Sequence, residues 1–175
     1  FFKDGDRVLK TQKMASIYGN LVPVLTGERV ALNFLGFLSG IATQTYNYVS
    51  AIDPASKLVI LDTRKTLPLY REWTKKAVRD GGGHNHRMNL SDAVLIKENH
   101  IRIAGSVTLA VQQIREHLNK TIAIEVTSLK EIEEALAVGA ERLLLDNMSN
   151  SEIATALDTI PDGVFVEASG NMTPE

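Results

Sequence analysis

An α/β fold is expected: an open or incomplete parallel β/α barrel, preceded by the remnant of a small N-terminal α+β domain. Three observations predict it. From Leu58 onward, short runs of Val, Ile and Leu alternate with stretches of helical period. Charged or polar residues recur at the C-terminal ends of those runs. The first 26 residues follow neither pattern.

Residues 1–26 read as the end of the smaller domain. Asp4-Gly-Asp-Arg-Val8 suggests a turn and a strand, and Met14–Asn20 suggests another strand and turn. The barrel domain is expected over 27–175. It opens with a long helix, Gly27–Ile52, carrying Arg29, Asn33 and Gly40, and Asp53-Pro54 stops it. Leu58–Leu61 is the first apolar run. Pro68 fits the first turn of a helix that ends near Gly81. Ala93–Ile96 is the second run, followed by apolar residues at helical spacing over Val107–Leu118. Ile122–Val126 is the third. Ser128-Leu-Lys-Glu131 is a capping box that starts the next helix, and Gly139 suits its end. Leu143–Leu145 and Val164–Val166 are the fourth and fifth runs, with a second capping box, Ser149–Glu152, between them.

Runs this short and apolar suit strands buried on both faces. Strands alternating with helices give parallel βαβ units. Spacing alone leaves an open doubly wound sheet and a barrel as alternatives. The polar run ends favour the barrel. Arg64 and Lys65, Lys97, Glu125, Asp146, and Glu167 with Ser169 would converge on one mouth, where barrel active sites lie.

Composition narrows the function. The 175 residues suffice for one domain with a sizeable core. No cysteine is present, which excludes disulfides, thiolate metal sites and cysteine catalysis and is compatible with a cytoplasmic location. No apolar run is expected to be long enough to cross a membrane, and no secretory signal precedes the first element. The chain begins at Phe1 without a methionine and stops at Glu175 just past a strand–turn pattern, so it is expected to be part of a longer one. Net charge is −2 but unevenly spread. Residues 61–102 hold nine Lys/Arg against five Asp/Glu, and residues 125–175 hold two against eleven. That contrast suggests a cationic half for anions and an acidic half for metal or hydroxyl groups. Nucleic acid fits poorly, because no basic domain or aromatic–basic motif backs the cations.

The densest chemistry lies between Leu61 and His100. Arg64 at a run end can fork onto a carboxylate in a way that Lys65 cannot; the plainer reading is a surface ion pair. Gly81-Gly82-Gly83 permits close backbone approach or positive φ, or marks only a loose turn. His86 and Arg87 offer hydrogen-bond donors to an acid. His84 with His86 is a poor zinc site, since no third ligand follows at a customary spacing. Lys97 is a mobile point charge suited to phosphate or carboxylate, or a snorkelling side chain. Glu125 and Asp146 suit Mg²⁺ or ribose hydroxyls, or pair with the lysines. The small-residue turn at Ser169-Gly170 exposes backbone N–H groups to phosphate. His100 and His117 read as structural or solvent-facing.

The wording of these segments resembles the quinolinate phosphoribosyltransferase family (nicotinate-nucleotide pyrophosphorylase, carboxylating). DTRKT (62–66), GGGHNHR (81–87) and LIKENH (95–100) match its signature. ERVALNFLGFLSGIAT (28–43), LLLDNMS (143–149) and VEASGNMT (166–173) also match, in the same order. The resemblance implies transfer of a phosphoribosyl group from phosphoribosyl pyrophosphate to quinolinate, with Mg²⁺ and loss of CO₂, giving nicotinate mononucleotide for NAD biosynthesis. It implies that Arg29, Arg64, His86 and Arg87 bind the two carboxylates. It places Lys65 and Lys97 between quinolinate and the donor. It gives Glu125 and Asp146 the ribose hydroxyls and the metal, directly or through pyrophosphate, and Ser169 and Gly170 the 5′-phosphate. The family residue matching Arg29 reaches the neighbouring subunit's site, which implies a homodimer or larger even assembly, without nucleic acid or membrane. Two positions depart from the family. Leu69 stands where Gly usually follows Pro68, and Thr127 where an acidic residue is common. A relative acting on another acid, a non-catalytic barrel subunit, and a Schiff-base lyase on the same barrel are the competing readings.

Overall fold

The computed structural model describes residues 1–174. They divide into two compact units, Phe1–Met88 together with the C-terminal residues from Thr173, and Asn89–Met172. The expected domain limit at residue 26 lies inside a helix of the first unit.

In the first unit, helix α1 runs Leu21–Ala51, six residues longer at its start than expected. Ile52 leaves the helix with extended φ and ψ, one residue before Asp53-Pro54. Helix α2 is Arg71–Asp80. Pro68 does not open α2; it sits in the preceding turn, closed by Tyr70 N–H donating to Leu67 O at 3.1 Å. Residues 1–20 contain turns and extended chain but none of the expected strands. Leu58–Leu61 likewise forms one parallel bridge, Leu61 to His84, in place of a strand.

The three glycines bind α2 to α1. A side chain on Gly81 would collide with Ala42 O and Thr45 of α1, and one on Gly83 would lie 2.7 Å from Thr45 Cγ2. Gly82 has φ +90°. The GGG segment is therefore a packing requirement rather than a loose turn. Much of the rest of α1 is apolar and exposed, Leu25 and Val30 among it, while the Phe34 and Phe37 rings pack in part on Tyr70. Contrary to the expectation, α1 is long and apolar enough to cross a membrane by length and composition. A search for uninterrupted apolar runs misses it, because Thr, Gly, Asn and Ser punctuate its hydrophobic residues.

The second unit is a parallel four-stranded sheet: β1 Val94–Ile96, β2 Ile122–Val126, β3 Arg142–Asp146 and β4 Phe165–Ser169. The strands lie in chain order, β1-β2-β3-β4, without a switch point. Right-handed crossovers in that order return on one face each time, which is barrel rather than doubly wound topology. The crossovers are α3 (Glu98–Ala104) with α4 (Val107–Arg115), then α5 (Leu129–Ala137), then α6 (Asn150–Thr159). The short α3 was not foreseen; His100 Nδ1 accepts Lys97 N–H at its start and Gly105, at φ +97°, ends it.

The strands are not apolar on both faces. Ile96, Ile122, Ile124, Val126, Leu143 and Leu145 pack against Val107, Ala110, Val111, Ile132, Ala135 and Ala156 of the helices. The helical residues recur at three- and four-residue steps, so each helix buries one stripe. The other sheet face alternates with the first. Register pairs Glu125 with Leu144, Leu144 with Glu167, and Asp146 with Ser169, which sets the polar residues on this second face.

Candidate active site

Within the first unit, four of the five cationic or imidazole residues expected there lie on two neighbouring segments. Asp62 N–H donates to His84 O at 3.1 Å, and His84 N–H to Ile60 O at 2.8 Å, joining the segment of Arg64 and Lys65 to that of His86 and Arg87. Arg64 and Arg87 are close enough to repel. Burial first, and then the charge of Arg64, lower the Arg87 guanidinium from its ordinary value. Arg64 Nε is buried without a hydrogen-bond partner among the described residues. A buried guanidinium N–H with no acceptor, beside a second guanidinium, is a poor arrangement until an anion enters. His86 Nδ1 accepts Arg87 N–H at 2.7 Å, which assigns the ring proton to Nε2. Lys65 is exposed, and its side chain makes no ion pair among the described residues. Arg29 is exposed on α1 and makes no hydrogen bond or ion pair among the described residues, so nothing joins it to the other cations.

Three supporting residues went unrecognised in the sequence. Arg71 donates to Thr66 Oγ1 at 3.3 Å, Met88 O at 3.2 Å and Arg64 O at 3.2 Å, bracing the loop that carries Arg64. Lys75 and Asp62 form an ion pair with side chains only 1% and 6% exposed. Asp62 is therefore neutralised by Lys75 and does not cancel the arginines.

Within the second unit, the expected residues sit at the C-terminal ends of adjacent strands. Lys97 Nζ pairs with Glu125 Oε2. Ser169 Oγ donates to Asp146 Oδ1 at 2.5 Å, and Asn147 Nδ2 donates to Asp146 Oδ2 at 2.7 Å. Gly170 has φ +91°, and any side chain there would strike Asn147. Asn147 N–H donates to Ser169 O at 2.9 Å, so the ends of β3 and β4 close on each other. One layer lower, Arg142 donates to Glu167 Oε1 at 3.3 Å and lies 4.3 Å from the Phe165 ring centroid. Among the described residues no three His, Asp or Glu side chains converge to cage a metal. Two separate carboxylates fit a hard cation that keeps water and phosphate oxygens as its other ligands, as Mg²⁺ does.

Residues 41–175 match the family described as quinolinate phosphoribosyl transferase, C-terminal domain. The chain is 48% identical to a probable nicotinate-nucleotide pyrophosphorylase [carboxylating] of Synechocystis, over 97% of its own length and 59% of that protein. It is 39% identical to the protein so named in Bacillus subtilis, over 99% of its length and 60% of the relative. The crystal structure of NadC from Streptococcus pyogenes superposes with a TM-score of 0.90 at 46% identity, covering 99% of this chain and 61% of that one. The chain thus spans about three fifths of the length of these relatives. On the family match and these identities together, the chain belongs to the quinolinate phosphoribosyl transferase family.

Proposed function

We propose that the complete protein transfers the phosphoribosyl group of phosphoribosyl pyrophosphate to quinolinate, releasing pyrophosphate and CO₂ and leaving nicotinate mononucleotide. The observation that carries this reading is the Arg64–Arg87 pair, with its buried, unpartnered Nε and the adjacent His86. Two guanidiniums held together call for an anion with two carboxylates. In this proposal residues 1–26 are the last part of an N-terminal α+β domain and 27–175 the barrel domain.

The quinolinate ring nitrogen is the nucleophile, so Arg64, His86 and Arg87 act by orienting it. Its lone pair forms the bond to ribose C1 as the C1–oxygen bond to pyrophosphate breaks. The sugar becomes cationic in that step and the leaving group gains charge. Glu125 and Asp146 bind ribose hydroxyls and favour the cationic sugar, while Lys65 and Lys97 stabilise the departing pyrophosphate. Ser169 and the Gly170 backbone hold the 5′-phosphate. Glu125 and Asp146 would hold Mg²⁺, directly or through pyrophosphate, and the metal would supply further charge neutralisation. Loss of CO₂ then leaves an electron pair on the ring carbon beside the ribosylated, cationic nitrogen; that carbon takes a proton. The arginines keep hold of the remaining carboxylate. No covalent enzyme intermediate is required.

The proposed assembly is a homodimer or larger even oligomer that places Arg29 in a neighbouring subunit's site, and the proposed setting is the cytoplasm. The test is titration of the full-length protein with quinolinate, then addition of Mg²⁺ and phosphoribosyl pyrophosphate with product detection. Nicotinate mononucleotide is expected from the wild type. Arg64→Ala is expected to lower kcat/KM by at least about a hundredfold, a loss of about 3 kcal/mol for a charged donor. A folded wild type that binds no quinolinate would sink the reading and favour a relative acting on another acid.

A further inference from the structure

We infer that Asp62 and Lys75 are positioning residues: they clamp the His86 peptide at a set place relative to Arg64, and so tune the site to an acid with two neighbouring carboxylates. The inference rests on the proposed quinolinate chemistry and extends it to residues that touch no substrate.

The clamp is complete on both sides of one residue. Lys75 Nζ donates to Asp62 Oδ1 and, at 2.9 Å, to His86 O. Asp62 Oδ1 also accepts His86 N–H at 2.9 Å. Both main-chain polar groups of His86 are thereby held by one ion pair. Asn85 ties in the rest: its Nδ2 donates to Asp62 Oδ2 at 2.5 Å and to Lys75 O at 2.9 Å, and its Oδ1 accepts from Arg79. Asp62 lies two residues before Arg64, and His86 lies one before Arg87. The ion pair therefore links the two guanidinium-bearing segments through their backbones.

A brace needed only for stability would be served as well by apolar residues, since burying two charges carries a desolvation cost. An ion pair that holds a peptide N–H and C=O adds what apolar contacts lack, a fixed orientation. That orientation sets the separation between Arg64, His86 and Arg87. A dicarboxylate meets all of them only at one separation, whereas a monocarboxylate tolerates several.

The test uses full-length protein carrying Asp62→Asn. Because an unpaired buried lysine can unfold that variant, the double variant Asp62→Leu/Lys75→Met is made beside it, removing both charges together. The readouts are KM for quinolinate, KM for phosphoribosyl pyrophosphate, kcat, the affinity ratio of quinolinate to nicotinate, and hydrogen exchange at the His86 amide. In folded variants the quinolinate KM is expected to rise by about tenfold or more, through misplacement of the acid's ligands. KM for the phosphoribosyl donor stays near wild type, kcat changes less than the quinolinate KM, the quinolinate preference over nicotinate falls, and the His86 amide exchanges faster. Folded variants that keep the wild-type quinolinate KM and preference would overturn the inference alone and leave the pair a structural brace. A wild type that binds no quinolinate would overturn the functional reading and this inference with it.

Discussion

Leu69 is the clearest single-residue departure. It occupies the third position of the turn Leu67–Tyr70 with φ +67°, and its side chain is 97% exposed. A turn with Pro at its second position and positive φ at its third is the type II arrangement, which glycine fits without strain. Leucine there carries the left-handed penalty and buries nothing in return. Leu69→Gly is expected to raise stability by about 0.5–1 kcal/mol, the relief of that penalty less the extra chain entropy of glycine. Leu69→Ala keeps the Cβ and is expected to gain little. Urea unfolding of the three proteins checks this; equal gains from both substitutions would place the benefit in removing an exposed apolar side chain instead. In the sequence Leu69 stood out only against the Gly usual at that place, and Pro68 was expected in a helix rather than in this turn. Lys75 did not stand out at all. Helix α2 reads REWTKKAVRD, and a lysine in so polar a helix looks solvated. Its burial is decided by Asp62 and His86, thirteen and eleven residues away. The Gly81–Gly83 segment was noticed, but its reason lies in Ala42 and Thr45 of α1, which no local pattern reveals.

At the level of elements, α6 holds the most explicit start signal. Ser149 Oγ accepts Glu152 N–H at 3.3 Å, while the Glu152 carboxylate accepts Ser149 N–H at 2.8 Å and Ser149 O–H at 2.6 Å. Those bonds, the hydroxyl first and the backbone second, lower the Glu152 carboxyl below its ordinary 4.5. A carboxyl depressed on folding stabilises the native state above its unfolded value, and the contribution fades as pH falls through the folded value. Glu152→Gln retains the box without the charge. The stability difference between wild type and Glu152→Gln is therefore expected at neutral pH and expected to shrink as the solution is acidified below 4.5. Urea unfolding across that range measures it, and a pH-independent difference would mean the charge plays no part. The box at Ser128 is only half made: Ser128 accepts Glu131 N–H, but the Glu131 carboxylate turns to Thr127 N–H and Oγ1. The sequence announces a capping motif without deciding which neighbour wins. Strands show the same limit. β2 coincides with its apolar run, and β3 and β4 begin and end within a few residues of theirs. Leu58–Leu61 has equal apolar character and makes one bridge, since a strand needs a partner along its length and the composition of a run cannot supply one.

For the whole molecule, barrel topology was foreshadowed by polar residues at successive run ends, and within the second unit the chain-order sheet explains why Lys97, Glu125, Asp146 and Ser169 stand at the ends of neighbouring strands. What the single chain does not explain is Arg29. It stands exposed on α1, beside the exposed apolar side chains of Leu25 and Val30, while Arg64 and Arg87 lie on other segments of the first unit. The proposed even oligomer accounts for both facts if α1 meets a second subunit and Arg29 completes that subunit's acid site. The consequence is testable by mixing two defects in full-length protein. Arg29→Ala and Arg64→Ala homodimers are each expected to be nearly inactive. In a heterodimer formed by unfolding and refolding the two together, a site assembled across subunits takes both defects in one place and neither in the other. Random pairing makes half the dimers mixed, so activity is expected to recover to about a quarter of wild type. If Arg29 serves the site of its own subunit, every site in the mixture carries one defect and no activity returns. Size-exclusion chromatography of the same mixture separates that outcome from a failure to form dimers at all. Recovery would assign Arg29 to its neighbour's acid site, which the exposed position on α1 anticipates.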